Sequence, residues 1–349
     1  MPLVTSSELL KVAKRERFAI GAFNANNMEM VQAVIEAAEE ENAPVILQVS
    51  QGAIAYAGLS MATALVKTAA ERAKVPVVLH LDHGTSYEQN LLCLGAGFTS
   101  LMYDGSAEPL EKNIEITKKI VKEAHKFNIP VEAELGKIPR IEDYFEKGLL
   151  PKNYDYSYPI PSAVKEDVKN LMANPDDAER FVKETGCDSL AVAIGSIHGM
   201  EKDIKPLNIE RLKEIRKRTD LPLVLHGSSG VIPTWERVKE LEKEIGLKLD
   251  KDEGPLVEAI KEGICKINVA TEISMSFLEG IREAIEKEKE KKKQEKDMRK
   301  IISVGRERAK ARIKEYIRLF GASGKASLFI YGSTAPAKKA ETEQVVHPE

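Results

Sequence analysis

His83, His198 and His226 close three apolar runs, VVLHLDHG, LAVAIGSIHG and PLVLHGSSG, and each is followed by glycine. Runs of this kind read as parallel strands buried on both faces. The chain has six histidines, so three in matching strand-to-helix positions suggest one shared site. Neutral imidazoles converging there suit a transition metal, zinc above all, with a position left open for substrate. A lone histidine at a strand end is usually a satisfied structural group; three with matched glycines are poorly explained that way. Asp82 stands beside His83. A carboxylate there can act as general base on a substrate held by the metal, or orient an imidazole from behind. His80, in the same motif, points to the opposite face from His83 in a regular strand and reads as structural. His125 falls on a helix and His347 in the tail, neither with a site context.

EAELG places Glu132 and Glu134 on one face of the strand that ends there. Two unpaired carboxylates inside a barrel carry a large desolvation cost, which a nearby cation would offset. The alternative is a pair of barrel-lining acids bonded to lysine or backbone. HGSSG (226–230) and INVAT (267–271) follow the last two apolar runs, and their small residues let backbone N–H groups approach an anion. Lys202 could add a point charge to the same phosphate, or simply be exposed. Asn268 and Thr271 read equally well as helix-capping groups.

The elements that must position these groups recur every 20 to 50 residues. Strands are expected near Phe18–Phe23, Val45–Val49, Val77–Leu81, Ser100–Met102, Val131–Leu135, Ser189–Ile194, Leu223–His226 and Ile264–Val269, with helices between. Met28, Val31, Ile35 and Ala38 form an apolar stripe at helical spacing, capped by Asn26 or Asn27. Eight such units predict an α/β fold, a (β/α)8 TIM barrel, whose loops after each strand open on one face. The barrel is expected to span residues 1–325 as a single domain, with insertions at about 139–172 and 232–258. The first extends the loop after the fifth strand and is rich in Tyr, Pro and Lys (KGLLPKNYDYSYPIPS), as a lid or added subdomain would be. The second includes a charged helical stretch, Trp235–Ile245. Two highly charged C-terminal helices follow, then a tail (326–349) whose last part is expected to be disordered. The KEKEKKK run reads as a solvated helix face.

With 349 residues, 43% hydrophobic and a net charge of −3, the chain can bury a large core and gives no support for nucleic acid as a partner. No apolar run reaches membrane-spanning length and the N-terminus lacks a signal layout. Cys93, Cys187 and Cys265 are isolated and suggest no disulfide framework. The expected location is the cytoplasm.

Taken together, GAFNANNMEMVQAVIEAAEE, PVILQVSQGA, VVLHLDHG, EAELG, DSLAVAIGSIHG, LVLHGSSG and ICKINVATE resemble the class II, metal-dependent ketose-bisphosphate aldolases. The likeness covers roughly residues 5–138, 172–231 and 258–325. The INVATE and HGSSG spellings look more like the tagatose-bisphosphate branch than the fructose-bisphosphate one. The resemblance implies one catalytic zinc ion per chain on His83, His198 and His226, and leaves a monovalent cation open. It implies that Asp82 takes the proton from the C4 hydroxyl during cleavage. Glu134 matches a carboxylate near the metal, a ligand of an alternative zinc position. Glu142 matches a mobile-loop glutamate that shuttles a proton at the dihydroxyacetone-phosphate carbon. Gly199, Lys202, Gly227, Ser229, Asn268 and Thr271 match the site for the triose phosphate, and Asn24 and Ser50 fall on other active-site positions. The implied reaction is reversible aldol cleavage of a ketose 1,6-bisphosphate, with zinc stabilising the enediolate. The implied partner is a phosphosugar, in a homodimer or homotetramer.

Two positions depart from the family pattern. Pro139 and Arg140 stand where the family usually has two glycines, and Ala270 stands where many fructose-bisphosphate enzymes carry an aspartate. Proline restricts the freedom two glycines would give, and the missing aspartate leaves the C4 stereochemistry open. A Schiff-base aldolase would need a desolvated lysine facing the site. SLAVAIG has none, and Lys266, in step with Asn268, is the one strand lysine that could serve. A metal-dependent hydrolase would usually show an HxH pair on the first strand, absent from FAIGAFNA. An aldolase acting on another phosphorylated ketose, or a non-catalytic phosphosugar-binding barrel, are the remaining readings.

Overall fold

A computed structural model describes residues 3–154, 160–199, 207–229, 231, 254–290 and 295–329. Eight parallel strands form the barrel: β1 Ile20–Asn24, β2 Val45–Ser50, β3 Val77–Asp82, β4 Leu101–Tyr103, β5 Val131–Leu135, β6 Ser189–Val192, β7 Leu223–Leu225 and β8 Ile264–Val269. They pair in the order β3-β2-β1-β8-β7-β6-β5-β4. Parallel bridges His80–Ser100 and Gly84–Tyr103 close the circle between β3 and β4. The backbone bonds Leu81 N–H to Ser100 O (3.0 Å) and Asp104 N–H to Gly84 O (2.8 Å) belong to this closure. Helices cover the outer face of every strand, so the strands are buried on both sides, as their near-continuous apolar runs require.

The barrel interior is polar where it approaches the site. Gln48, His80, Glu132 and Lys266 are buried in its lower part, and Asn24, Asp82, Glu134, His226 and Asn268 lie above them. Outside, the helix Met28–Glu40 starts at Asn27, whose side chain accepts from Met30 N–H at 2.9 Å. Val31, Ile35 and Ala38 are buried on it, while Met28, first of the predicted stripe, is exposed.

The two charged C-terminal helices form as expected, Thr271–Glu290 and Met298–Leu319. They touch backbone to backbone: a Cβ on Gly280 would lie 2.8 Å from Gly305 Cα. The second is tied to the end of Met28–Glu40 by Lys314–Glu40 and Arg318–Glu41, both 2.6 Å. The insertion after β5 supplies helices Ile141–Glu146 and Ser162–Asn170. They build a small core of their own, in which Ile141, Tyr144, Leu150, Ile160, Val164 and Val168 pack with Ile197. Most of the second insertion, including the expected helix Trp235–Ile245, lies outside the described residues, as does the tail beyond 329. No single helix among the described residues is long and apolar enough to cross a membrane.

Candidate active site

The three histidines meet. One nitrogen of each of His83, His198 and His226 lies within 4.8 Å of the others. The ring centroids are 5.0 Å apart for His83–His198 and 4.7 Å for His83–His226. His83 Nε2 and His226 Nδ1 face one another at 3.0 Å.

Each ring is backed by an acceptor. His83 Nδ1 bonds Asp104 Oδ2 at 2.7 Å, His226 Nε2 bonds Glu132 Oε1 at 2.8 Å, and His198 is backed by the Ile138 carbonyl. Such acceptors hold the outer nitrogen of each ring and turn the other nitrogen inward, as metal-ligating histidines require. Glu134 is buried beneath the rings, its Oε2 3.4 Å from His226 Nδ1 and 3.9 Å from His83 Nδ1, with no hydrogen-bond partner for that oxygen among the described residues. A buried carboxylate oxygen without a donor is costly, and a cation at this point would satisfy it. His83, Asp104 and Glu134 form a second cluster with ligand spacing. The donors, imidazole nitrogen and carboxylate oxygen, fit zinc.

His83 reaches the cluster through its backbone. Strict alternation would turn it away from Asp82 and His80, but its φ is 51°. Gln51 holds that left-handed turn by donating Nε2–H to the His83 carbonyl at 2.6 Å. The regular-strand expectation for His80 is therefore corrected. His80 also points into the barrel, one layer lower, because the left-handed step brings His83 back to the same side.

Asp82 accepts from Asn24 Nδ2 (2.7 Å) and Asn268 Nδ2 (3.1 Å), and Gln48 orients Asn24 by donating to its Oδ1 (2.9 Å). Burial opposes its charge, but His83, His226 and the Asn24 bond outweigh it and hold the carboxyl below its ordinary range. Around His83 burial is likewise overcome, here by Asp82, Asp104 and Glu134, which raise the imidazole to about 10. Burial and the His83 charge push His198 down to about 3 and carry His226 well below its ordinary value. Burial, with Asp104 adding to it, raises Glu134 well above the usual carboxylate range.

Above the rings opens a cavity of about 470 Å³, lined by Asn24, Ser50, Asp82, His83, Glu142, His198, Gly199, Gly227, Ser229, Asn268 and Thr271. His226 and Glu134 are buried and do not line it, and Lys202 lies outside the described residues. The match to a family model, fructose-bisphosphate aldolase class-II, runs over residues 4–325. The fructose-bisphosphate aldolase of Thermus caldophilus is 41% identical over 93% of this chain and 100% of its own. That of Helicobacter pylori (strain ATCC 700392 / 26695) is 39% identical over 93% and 99%. The chain belongs to the class-II fructose-bisphosphate aldolase family.

The fold agrees. The solved YdjI aldolase from Escherichia coli K12 superposes with a TM-score of 0.71 at 32% identity, over 93% of this chain and 99% of that one. This class II aldolase is an aldehyde-lyase, whose reaction is the reversible aldol cleavage of a ketose bisphosphate. The family is generally zinc-dependent, and the histidine cluster is a possible site for that metal.

The loops after β7 and β8 meet at the cavity. Gly227 has φ 59°, and a Cβ there would lie 3.0 Å from the carbonyl carbon of Ile197, so the loop carrying His198 packs directly on it. Ser228 Oγ donates to Asn268 O at 2.5 Å and joins the two loops. Thr271 opens a helix of 20 residues whose N-terminus points positive partial charge at the cavity.

The departures also take shape here. Pro139, Arg140 and Ile141 are paired with the loop at His198: His198 N–H bonds Pro139 O at 2.9 Å, and Ile141 N–H bonds His198 O at 3.0 Å. Glu142 is thus carried by a segment anchored to the loop of His198 and to the insertion's small core. Arg140 and Ala270 both line the cavity.

Sequence reasoning missed Asp104, which holds His83, and Gln51. The pattern MYDG at the end of β4, in the same loop position as the three histidines, carried the signal for Asp104. Lys266 resolves differently from the Schiff-base option. It lies below His226, fully buried, and its Nζ bonds Glu132 Oε2 at 2.7 Å. Glu132 is therefore the lysine-bonded barrel acid of the alternative reading, and Glu134 keeps its Oε2 without a hydrogen-bond partner among the described residues.

Proposed function

We propose that this aldolase uses one zinc ion per chain, held by His83, His198 and His226 with Glu134 at hand, to cleave a ketose 1,6-bisphosphate of the fructose or tagatose type. The observation that carries this is the backing of all three rings by acceptors, with their other nitrogens gathered under a cavity of substrate size. When bound, zinc supplies a Lewis-acid charge that favours electron flow onto the ketose carbonyl as the C3–C4 bond breaks. Asp82, kept ionised and aimed by Asn24 and Asn268, takes the proton of the C4 hydroxyl and returns it in condensation. Glu142, at the cavity wall, moves a proton at the dihydroxyacetone-phosphate carbon. Gly199, Lys202, Gly227, Ser229, Asn268 and Thr271 bind the triose phosphate, and Asn24 and Ser50 orient the sugar chain. Resemblance to the family further supports a homodimer or homotetramer working in the cytoplasm.

The test is dihydroxyacetone phosphate release from fructose and tagatose 1,6-bisphosphate, with and without zinc. Zinc-dependent cleavage of at least one of the two is expected. Release unaffected by thorough chelation would remove the metal from the reaction.

A further inference from the structure

Below the metal-facing rings, a chain of buried polar groups crosses the barrel. His226 Nε2–H donates to Glu132 Oε1 (2.8 Å), and Lys266 Nζ donates to Glu132 Oε2 (2.7 Å) and to His80 Nε2 (3.2 Å). His80 Nδ1 then meets Ser100 Oγ (2.8 Å), and Ser100 Oγ meets Ser6 Oγ (2.8 Å), on the N-terminal helix Ser6–Glu16. Lys266, Glu132, His80 and His226 are each no more than 2% exposed. A buried ion pair is a poor source of stability compared with apolar side chains of equal volume, so this one asks for another role.

We propose that Lys266 is a positioning residue for His226: acting through Glu132, it fixes which ring nitrogen of His226 carries the proton, and so leaves the one facing the metal with its lone pair. The inference rests on the reading of His226 as a zinc ligand. An ammonium only donates. Lys266 therefore claims one oxygen of Glu132 and requires His80 to accept at Nε2. The second carboxylate oxygen, held in place, can only accept, so His226 must carry its proton on Nε2. That leaves the Nδ1 lone pair toward the cavity. Toward the other end, His80 must donate from Nδ1 to Ser100. The direction of each bond from His226 to Ser100 is set at Lys266.

The arrangement predicts an unusual rescue. In Glu132→Gln, Lys266 still claims the oxygen, so the amide NH2 faces His226 Nε2. That nitrogen must then accept, the proton moves to Nδ1, and the lone pair facing the metal is lost. In the double variant Glu132→Gln/Lys266→Met nothing claims the oxygen. The amide turns, accepts from His226 Nε2–H, and offers its NH2 to His80 Nε2, which lies 3.9 Å from the present Glu132 Oε2.

Zinc dissociation constants are measured on the full chain by competition with a chelator, and thermal melting checks that each variant is folded. Glu132→Gln is expected to weaken zinc binding by about 10–100-fold or more. The double variant should return to within about tenfold of wild type, on the same scale of such effects. A folded Glu132→Gln protein that binds zinc like wild type, or a double variant as weak as the single, overturns the proposal. Should the single variant not fold, the double variant decides alone: loss of zinc binding by the folded protein overturns the assignment. If wild-type protein itself binds no zinc, the proposed function falls instead, so the two failures are distinguishable.

Discussion

Replacing Asp82 by alanine separates the two halves of the reaction. Asp82 is fixed by two amide donors at 2.7 and 3.1 Å, and its Oδ1 is 3.9 Å from His83 Nε2. It is close enough to serve a substrate above the metal, yet it is outside the three-imidazole set. Its work is at the C4 hydroxyl, on the aldehyde half of the sugar. A positioned general base contributes about 10²–10⁴ in rate, which at about 1.36 kcal/mol per tenfold is about 2.7–5.5 kcal/mol of barrier. Asp82→Ala should therefore lose that factor in kcat for cleavage of the bisphosphate. The exchange of the dihydroxyacetone-phosphate proton with solvent involves no C4 hydroxyl and should persist. Both are assayed at saturating zinc, because removing a negative charge this close to the rings also weakens the metal's hold. Retention of more than about a tenth of the cleavage rate would reject Asp82 as the base. Proton exchange falling in step with cleavage would show that the side chain supports the whole site rather than one proton transfer.

Chelation should abolish cleavage and zinc should restore it. Because Asp82, Asp104 and Glu134 raise His83 to about 10, zinc uptake at pH 8 must displace its proton. Calorimetric titration in two buffers of different ionisation heat should then show net proton release, and none would contradict the local charge balance. Glu41 accepts from Arg318 at 2.6 Å and from Ser323 at 2.8 Å, and Glu41→Ala should cost about 1–2 kcal/mol in urea unfolding at pH 7. The Arg318 hydrogen bond leads in lowering the Glu41 pKa, against burial. Its contribution is therefore complete above the ordinary value of about 4.3 and is lost as pH falls through the lowered one. The difference between wild type and variant should shrink below about pH 4 and nowhere above. Gly305→Val places a Cβ 2.7 Å from the Phe277 carbonyl, so the C-terminal helices must separate, at about 1–3 kcal/mol in the same unfolding assay.

The strands and their order were legible because parallel strands covered on both faces must be apolar throughout, and such runs stand out between charged helices. The pattern was weakest where the barrel is irregular. β4 has three residues, Leu101–Tyr103, one position later than the sequence suggested, and Asp104 behind it went unread. β6 ends at Val192 rather than Ile194, where the chain turns toward the Pro139–Ile141 segment. The site was legible as a set of loops but not as a set of directions. Alternation tells which way a side chain points only while the strand lasts, and His83 sits one step past that limit, in a left-handed conformation that reverses the rule. The same limit explains Glu132 and Glu134. Their spacing put both inside the barrel, yet one is bonded to Lys266 and the other has an oxygen with no donor. Nothing in EAELG distinguishes them. The difference comes from β8, where Lys266 on the facing strand reaches one layer of the interior and not the next. The partner that gives Glu132 its role, Lys266, lies 134 residues away along the chain, so only the closed barrel supplies it.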